Sequence, residues 1–197
     1  MAVEPWFARP AFECSRDLVV AIERWTWEEA AEALHWSRRA VAIHPHLEGI
    51  QDGIRKHCPG IIVQFSTGGR SGVGAERGSM LHLKPDMASL ATGSCNFPIS
   101  VYENSNELIE ELASTMLEHD IKPEIEVFDL AMLYRAADMA ANGLLKNPLH
   151  VQFVLGVKNA LPAHRDILEF ELQKLEEVLP DATWVAAGIG RAQLEVN

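Results

Sequence analysis

The sequence predicts an α/β fold built on a parallel sheet, and three observations carry that prediction. The run Ile61–Phe65 (IIVQF) reads as an apolar strand that stops at Ser66-Thr67-Gly68-Gly69. A strand without polar alternation is what a sheet covered by helices on both faces requires. From residue 60 onward, short apolar runs alternate with longer amphipathic ones. The strands start about 30 residues apart, the length of a β-α unit whose crossover helix makes successive strands parallel.

The first 45 residues stand apart. Four of the five tryptophans (Trp6, Trp25, Trp27, Trp36) sit there with the Arg38-Arg39 pair. The aromatics of this stretch fit no clean helical face. It reads as an atypical N-terminal segment, either a cap helix or a rearranged, partly disordered stretch, and residues 46–197 read as the β/α domain. In that domain the predicted strands are Ile61–Phe65, Met87–Ala91, Ile125–Phe128, His150–Leu155 and Trp184–Ala187. The predicted helices are 104–118, 129–142 and 163–179. In the first of these, Leu108, Ile109, Leu112, Met116 and Leu117 recur at the spacing of one buried face. Asn104, Asp129 and Asp166 stand where N-caps belong, and Gly143 stands where a helix closes. Five units in series leave two architectures, an open doubly wound sheet or a piece of an eight-fold barrel.

Composition bounds the function. With 197 residues, 48% hydrophobic and 23% charged, the chain can bury a core. A net charge of −11 argues against a nucleic-acid surface, which needs a basic stripe to displace counterions. Cys14, Cys58 and Cys95 are odd in number and lack CxxC spacing, so they read as reduced thiols of a cytoplasmic protein. No apolar run reaches the roughly 20 residues of a membrane span, and no secretion signal opens the chain.

The chemistry is expected at the C-terminal strand ends, where open α/β sheets and barrels both place ligands. Ser66, Thr67, Gly68 and Gly69 offer hydroxyls and amides to a carboxylate or phosphate, without the lysine of a nucleotide-binding P-loop. Thr92-Gly93-Ser94-Cys95-Asn96 ends the second strand in small polar residues. In KPEIEVFD, Glu124 and Glu126 share one strand face, and two inward carboxylates are costly unless they meet partners or a ligand. Lys158 follows the fourth strand, and Arg191 follows the fifth, where it can hold an anion. His44-Pro45-His46 is the one histidine pair at ligand spacing. In an extended segment both imidazoles point the same way, although two ligands do not complete a metal site.

Taken together and in order, DGIRKHCPGIIVQFSTGG, KPDMASLATGSCNFP, DIKPEIEVFDLAMLY, PLHVQFVLGVKNALP and WVAAGIGRAQL resemble the β-keto acid cleavage enzymes, typified by 3-keto-5-aminohexanoate cleavage enzyme. The resemblance spans roughly residues 50 to 195. It implies a zinc-dependent (β/α)8 TIM barrel, here incomplete, with about five or six β-α units, and a homo-oligomer in the intact family. It implies condensation of a β-keto acid with acetyl-CoA, followed by cleavage to acetoacetate and a new acyl-CoA. Carried over, Ser66, Thr67 and Gly69, with Gly68 between them, bind the keto-acid carboxylate. Ser94 and Asn96 line the pocket, and Glu126 matches the glutamate that works with an arginine to orient the catalytic aspartate. His44 and His46 match the H-x-H zinc ligands.

The departures are as specific. Leu47-Glu48 follow the histidine pair where the family has Arg-Asp and a longer loop, and no H-x-R-x-G-L-E-D-N run follows Arg191. In the family that run carries the third zinc ligand, the catalytic aspartate and its arginine. The expectation is a fragment or shortened copy with little or no activity of its own. The alternatives are a non-catalytic assembly partner, and a barrel aldolase using Lys158 as a Schiff base.

Overall fold

The computed structural model describes residues 44–68, 74–98 and 100–196. The chain divides between Val63 and Gln64 into two units, each described by itself. In the first lies helix α1, His44–His57, with Arg55, Lys56 and His57 in its last turn, where cations favour the helix dipole. Residues 1–43, with the N-terminal segment singled out from the sequence, lie outside the described residues.

Among its described residues the second unit holds seven strands: β1 Gln64–Phe65, β2 Met87–Ala91, β3 Cys95–Asn96, β4 Val101–Tyr102, β5 Lys122–Val127, β6 His150–Leu155 and β7 Thr183–Gly188. Five of them form one sheet in the order β1-β2-β5-β6-β7, every pair parallel, while β3 and β4 make a separate antiparallel hairpin. The order decides between the two architectures that the sequence left open. A doubly wound sheet reverses direction at a switch point. Here each sheet strand lies beside its predecessor in the chain, as in an arc of a β/α barrel.

Helices α2 (Asn106–Glu118), α3 (Leu130–Ala141) and α4 (Arg165–Val178) alternate with these strands. Right-handed crossovers between adjacent parallel strands place them on one face of the sheet. On that face Ala88, Leu90, Ile125, Val127, Val151, Phe153 and Leu155 are almost fully buried, in one core with Ile109, Leu112, Ala113 and Met116 of α2 and Met132, Leu133, Ala136 and Met139 of α3. Leu117, expected on the buried face of α2, is 43% exposed. At about 100° per residue it falls beyond the edge of the stripe centred on Leu112, and Ala113 takes its place.

The helix ends show the local chemistry. Asp129 caps α3, its carboxylate accepting from the Met132 N–H, as the sequence indicated. Gly143 (φ +78°) closes α3, with its N–H to the Ala140 carbonyl and the Leu144 N–H to the Met139 carbonyl, the pair of bonds of a Schellman motif. Two cap readings are corrected. Ser105, not Asn104, caps α2 through the Leu108 N–H, because the Asn104 side chain turns inward. Asp166 lies inside the first turn of α4, whose N-cap position is held by His164.

Two strand readings also change. Only Gln64–Phe65 of the run Ile61–Phe65 pairs in the sheet, and Gln64 and Ile62 are exposed. Among the described residues β1 is an outer strand, with burial on one side at most. The third sheet strand begins at Lys122, three residues earlier than expected, because the Lys122 N–H already donates to the Asp86 carbonyl and Pro123 needs no donor of its own. No helix among the described residues is long and apolar enough to cross a membrane.

Glu171 of α4 is 1% exposed, and its Oε2 is buried without a hydrogen-bond partner. Burial first, and Asp129 second, push its carboxyl from 4.5 up to about 7. A folded-state pKa above the unfolded one means that the native state holds the proton more tightly. Stability is therefore greatest below the unfolded value and falls as pH rises through about 7. Glu171→Gln should stabilise the protein by about 1–3 kcal/mol at pH 8 and by little at pH 5, measured by urea unfolding at the two pH values.

Candidate active site

The polar residues of the sheet collect on the face away from the helices. Parallel register places Ser89 beside Glu124, Ala91 beside Glu126, Glu124 beside His150 and Glu126 beside Gln152. The Glu124 carboxylate is buried and accepts from both flanking amides, Gln64 Nε2 and Gln152 Nε2 (3.2 Å). His150 bonds Thr183 Oγ1 through Nδ1 at 2.8 Å and has its Nε2 4.0 Å from Glu124. Burial holds His150 below its ordinary value, although Glu124 pulls the other way. Glu124 thus has protein partners on either side, which is how a buried carboxylate is tolerated.

Glu126, one pleat nearer the C-terminal edge, is in a different situation. Burial, then the neighbouring Glu124, raise its carboxyl from 4.5 to about 7, while Arg77 and a hydrogen bond from Tyr102 oppose the rise. It therefore changes charge close to neutrality, where an acid-base group is useful.

Above Glu126 stands a residue that the sequence reading missed. Arg77 ends a short 3-10 turn, Gly74–Gly78, and is 5% exposed. Its Nε donates to the Thr67 carbonyl (2.6 Å), one terminal nitrogen to the Glu103 carbonyl (2.8 Å), and the other to Asn104 Oδ1 (2.7 Å) and Tyr102 Oη (3.2 Å). The guanidinium also lies 5.2 Å from the centre of the Tyr102 ring. Tyr102 is fixed from the other side by Phe97, stacked at 5.4 Å, and Phe128, edge-on at 5.9 Å. Burial, then Glu126, push the Tyr102 hydroxyl up to about 12, so it stays a donor.

The expected cradle residues divide by role. Thr67 is buried, with its N–H on Ser89 Oγ (3.1 Å) and its hydroxyl on the Ser89 carbonyl (2.6 Å), so both donors pin the end of β1 to β2. Ser66 is exposed, and its Oγ accepts from the Gly68 N–H at 3.1 Å. Gly69 lies outside the described residues. Ser94 clasps the hairpin to α2, accepting from the Asn104 N–H (2.8 Å) and donating to the Asn104 carbonyl (3.1 Å). Asn96 is exposed on β3. Arg77 is what joins the Thr67 segment to residues 102–104, and its charge acts on Glu126. No periodicity marks it in GAERGSM, and the long connection between β1 and β2 carries a second arginine, Arg70, so residue type alone does not single it out.

Other candidates stay apart. Arg191 is exposed in the 3-10 turn Gly190–Ala192, which folds back so closely that a Cβ on Gly188 would stand 2.3 Å from the Ala192 carbonyl oxygen. Lys158 is exposed in the turn after β6, without the desolvation that activates a Schiff-base lysine. The His44-Pro45-His46 backbone is the first turn of α1 rather than an extended segment. The side chains of this pair lie outside the described residues. Among the described residues no group of three or more His, Cys, Asp or Glu converges as metal ligands do.

Hydroxyls, a buried arginine and a near-neutral glutamate thus gather at the strand ends of a partial β/α barrel. The chain belongs to the beta-keto acid cleavage enzyme family, whose model matches residues 39–197. It is 57% identical over 145 residues to the 3-oxoadipate:acetyl-CoA acetyltransferase of Cupriavidus necator, covering 74% of this chain and 51% of that protein. It is 36% identical over 148 residues to the 3-keto-5-aminohexanoate cleavage enzyme of Fusobacterium nucleatum, covering 74% and 52%. The chain thus spans about half the length of the curated relatives it matches. Among solved structures, apo ObcA superposes with a TM-score of 0.64 at 18% identity, over 76% of this chain and 40% of that one. The ternary complex of ObcA with a C4-CoA adduct and oxalate gives 0.63. At that identity the likeness establishes the fold.

With selectively labelled glutamate, carboxyl carbon-13 resonances should show two groups titrating near 7, Glu126 and Glu171. Glu124→Gln, which removes a negative neighbour, should move the Glu126 midpoint down and leave Glu171 in place. Glu171→Gln assigns the second resonance.

Proposed function

We propose that this chain contributes the carboxylate-binding and proton-handling side of an active site that joins a β-keto acid to acetyl-CoA and cleaves the adduct to acetoacetate and a new acyl-CoA. The observation that carries the reading is Glu126, a half-buried carboxyl held near neutrality and linked through Tyr102 and Arg77 to the strand end that bears Ser66 and Gly68. In this reading Ser66, with Gly68 and Gly69, binds the keto-acid carboxylate, and Thr67 holds their turn in place. Ser94 and Asn96 border the pocket and Arg191 meets an anionic group at its rim. A cytoplasmic homo-oligomer is the setting the reading assumes.

Atom balance sets what the site must do. The C2 proton of the keto acid is removed, and C2 attacks the acetyl thioester, whose carbon–sulfur bond breaks. The released CoA thiolate adds at C3. Cleavage of the C2–C3 bond then leaves the acyl-CoA and an acetoacetate carbanion that takes back a proton. Glu126 is the group of this chain suited to holding or moving that proton, directly or by orienting another base.

The C. necator relative makes 3-oxoadipate the first keto acid to try. Calorimetry should detect 3-oxoadipate binding to the 197-residue protein, with Ser66→Ala weakening it about tenfold or more, the loss of one hydrogen bond to a charged group. Binding that is absent, or indifferent to Ser66→Ala, would sink the proposal. A second reading, an assembly partner without its own chemistry, is favoured by Trp184, Val185 and Ile189, 40–45% exposed along an outer strand of the sheet.

A further inference from the structure

We propose that Arg77 is a positioning residue of this site: one guanidinium ties the Ser66–Gly68 turn, the β3–β4 hairpin and the Tyr102–Glu126 pair into a single unit, fixing where a bound anion stands relative to the Glu126 carboxyl. The proposal rests on the keto-acid reading only for the identity of that anion.

A charged side chain that is 5% exposed is tolerated only when its donors are satisfied. Arg77 meets this with four hydrogen bonds whose acceptors come from two stretches of chain, Thr67 after β1 and the consecutive Tyr102, Glu103 and Asn104 between β4 and α2. The planar fork alone reaches these directions at once. A lysine ammonium in the same place is a point charge on a flexible stem. The turn carrying Arg77 is itself held tightly, since a Cβ on Gly78 would come within 2.8 Å of Leu112 Cδ2 in the α2 core.

The bonds also have a direction. Arg77 donates to Tyr102 Oη, and the Tyr102 hydroxyl in turn favours the charged form of Glu126. Polarisation along such a chain strengthens each bond, so the guanidinium reaches Glu126 through Tyr102 as well as by its own charge. The groups that face Glu126 are Glu124 from its own strand, Arg77 from the 3-10 turn and Tyr102 from β4, with Ala91 of β2 and Gln152 of β6 as uncharged register neighbours. Removing either link therefore acts on Glu126 even when the fold is intact.

The test is a double-mutant cycle on the full chain, with Arg77→Lys and Tyr102→Phe, read by the carbon-13 titration of Glu126. Each single variant should move the midpoint upward by at least half a pH unit. The double variant should move it little further than Tyr102→Phe alone, because without the Tyr102 hydroxyl the guanidinium has lost its bonded route to Glu126. Additive shifts, or none, would overturn the proposal. Tyr102→Phe keeps the ring and its Phe97 and Phe128 contacts, so if Arg77→Lys fails to fold, an unmoved midpoint in Tyr102→Phe overturns it alone. A second arm uses 3-oxoadipate as the probe, and Arg77→Lys should weaken its binding about tenfold. Unchanged binding in Arg77→Lys also counts against the proposal. If the unmodified protein binds no 3-oxoadipate, the keto-acid reading fails while the titration still decides the role of Arg77.

Discussion

Crossovers between neighbouring parallel strands are right-handed, so five strands paired in chain order carry their helices on a single side. The rest of this molecule follows from that winding. One face of the sheet is buried under α2, α3 and α4 and must be apolar. The opposite face is free to be polar, and it is there that Ser89, Glu124, Glu126, His150 and Gln152 line up by register. The period of two along each strand keeps the demands separate, since one residue in the run Glu124-Ile125-Glu126 serves the core and its neighbours serve the site.

Polar groups on that second face are expensive, and the two carboxylates meet the expense differently. Glu124 is bracketed by Gln64 and Gln152. Glu126 lacks such a pair of amides among the bonds described, lies beside Glu124, and is held near neutrality by the opposition of burial and repulsion to Arg77 and Tyr102. Two glutamates one pleat apart thus have different jobs, one completing a structural belt and the other remaining able to titrate. The distinction resides in their neighbours rather than in their residue type.

Membership of the beta-keto acid cleavage enzymes gives this arrangement a context, and the half-length match to curated relatives states how much of it is in hand. What the chain contains is coherent: strand ends, a clasped hairpin and a buried guanidinium that joins them. The backbone of the histidine pair forms the first turn of α1.

Much of the fold was legible in the sequence, because apolar periodicity and turn residues act locally. The strands Met87–Ala91 and His150–Leu155, the cap at Asp129 and the stop at Gly143 all follow from chemistry within a few residues of each position. Glu126 and the strand-end hydroxyls were legible as candidates for the same reason. Tertiary structure alone decided the strand order, the one-sided burial of β1, the exposure of Leu117 and the inward turn of Asn104. It alone also found Arg77, whose acceptors lie 10 to 27 residues away. A guanidinium's partners are set by which chain segments meet in space, and no pattern of residue types along the chain records that meeting.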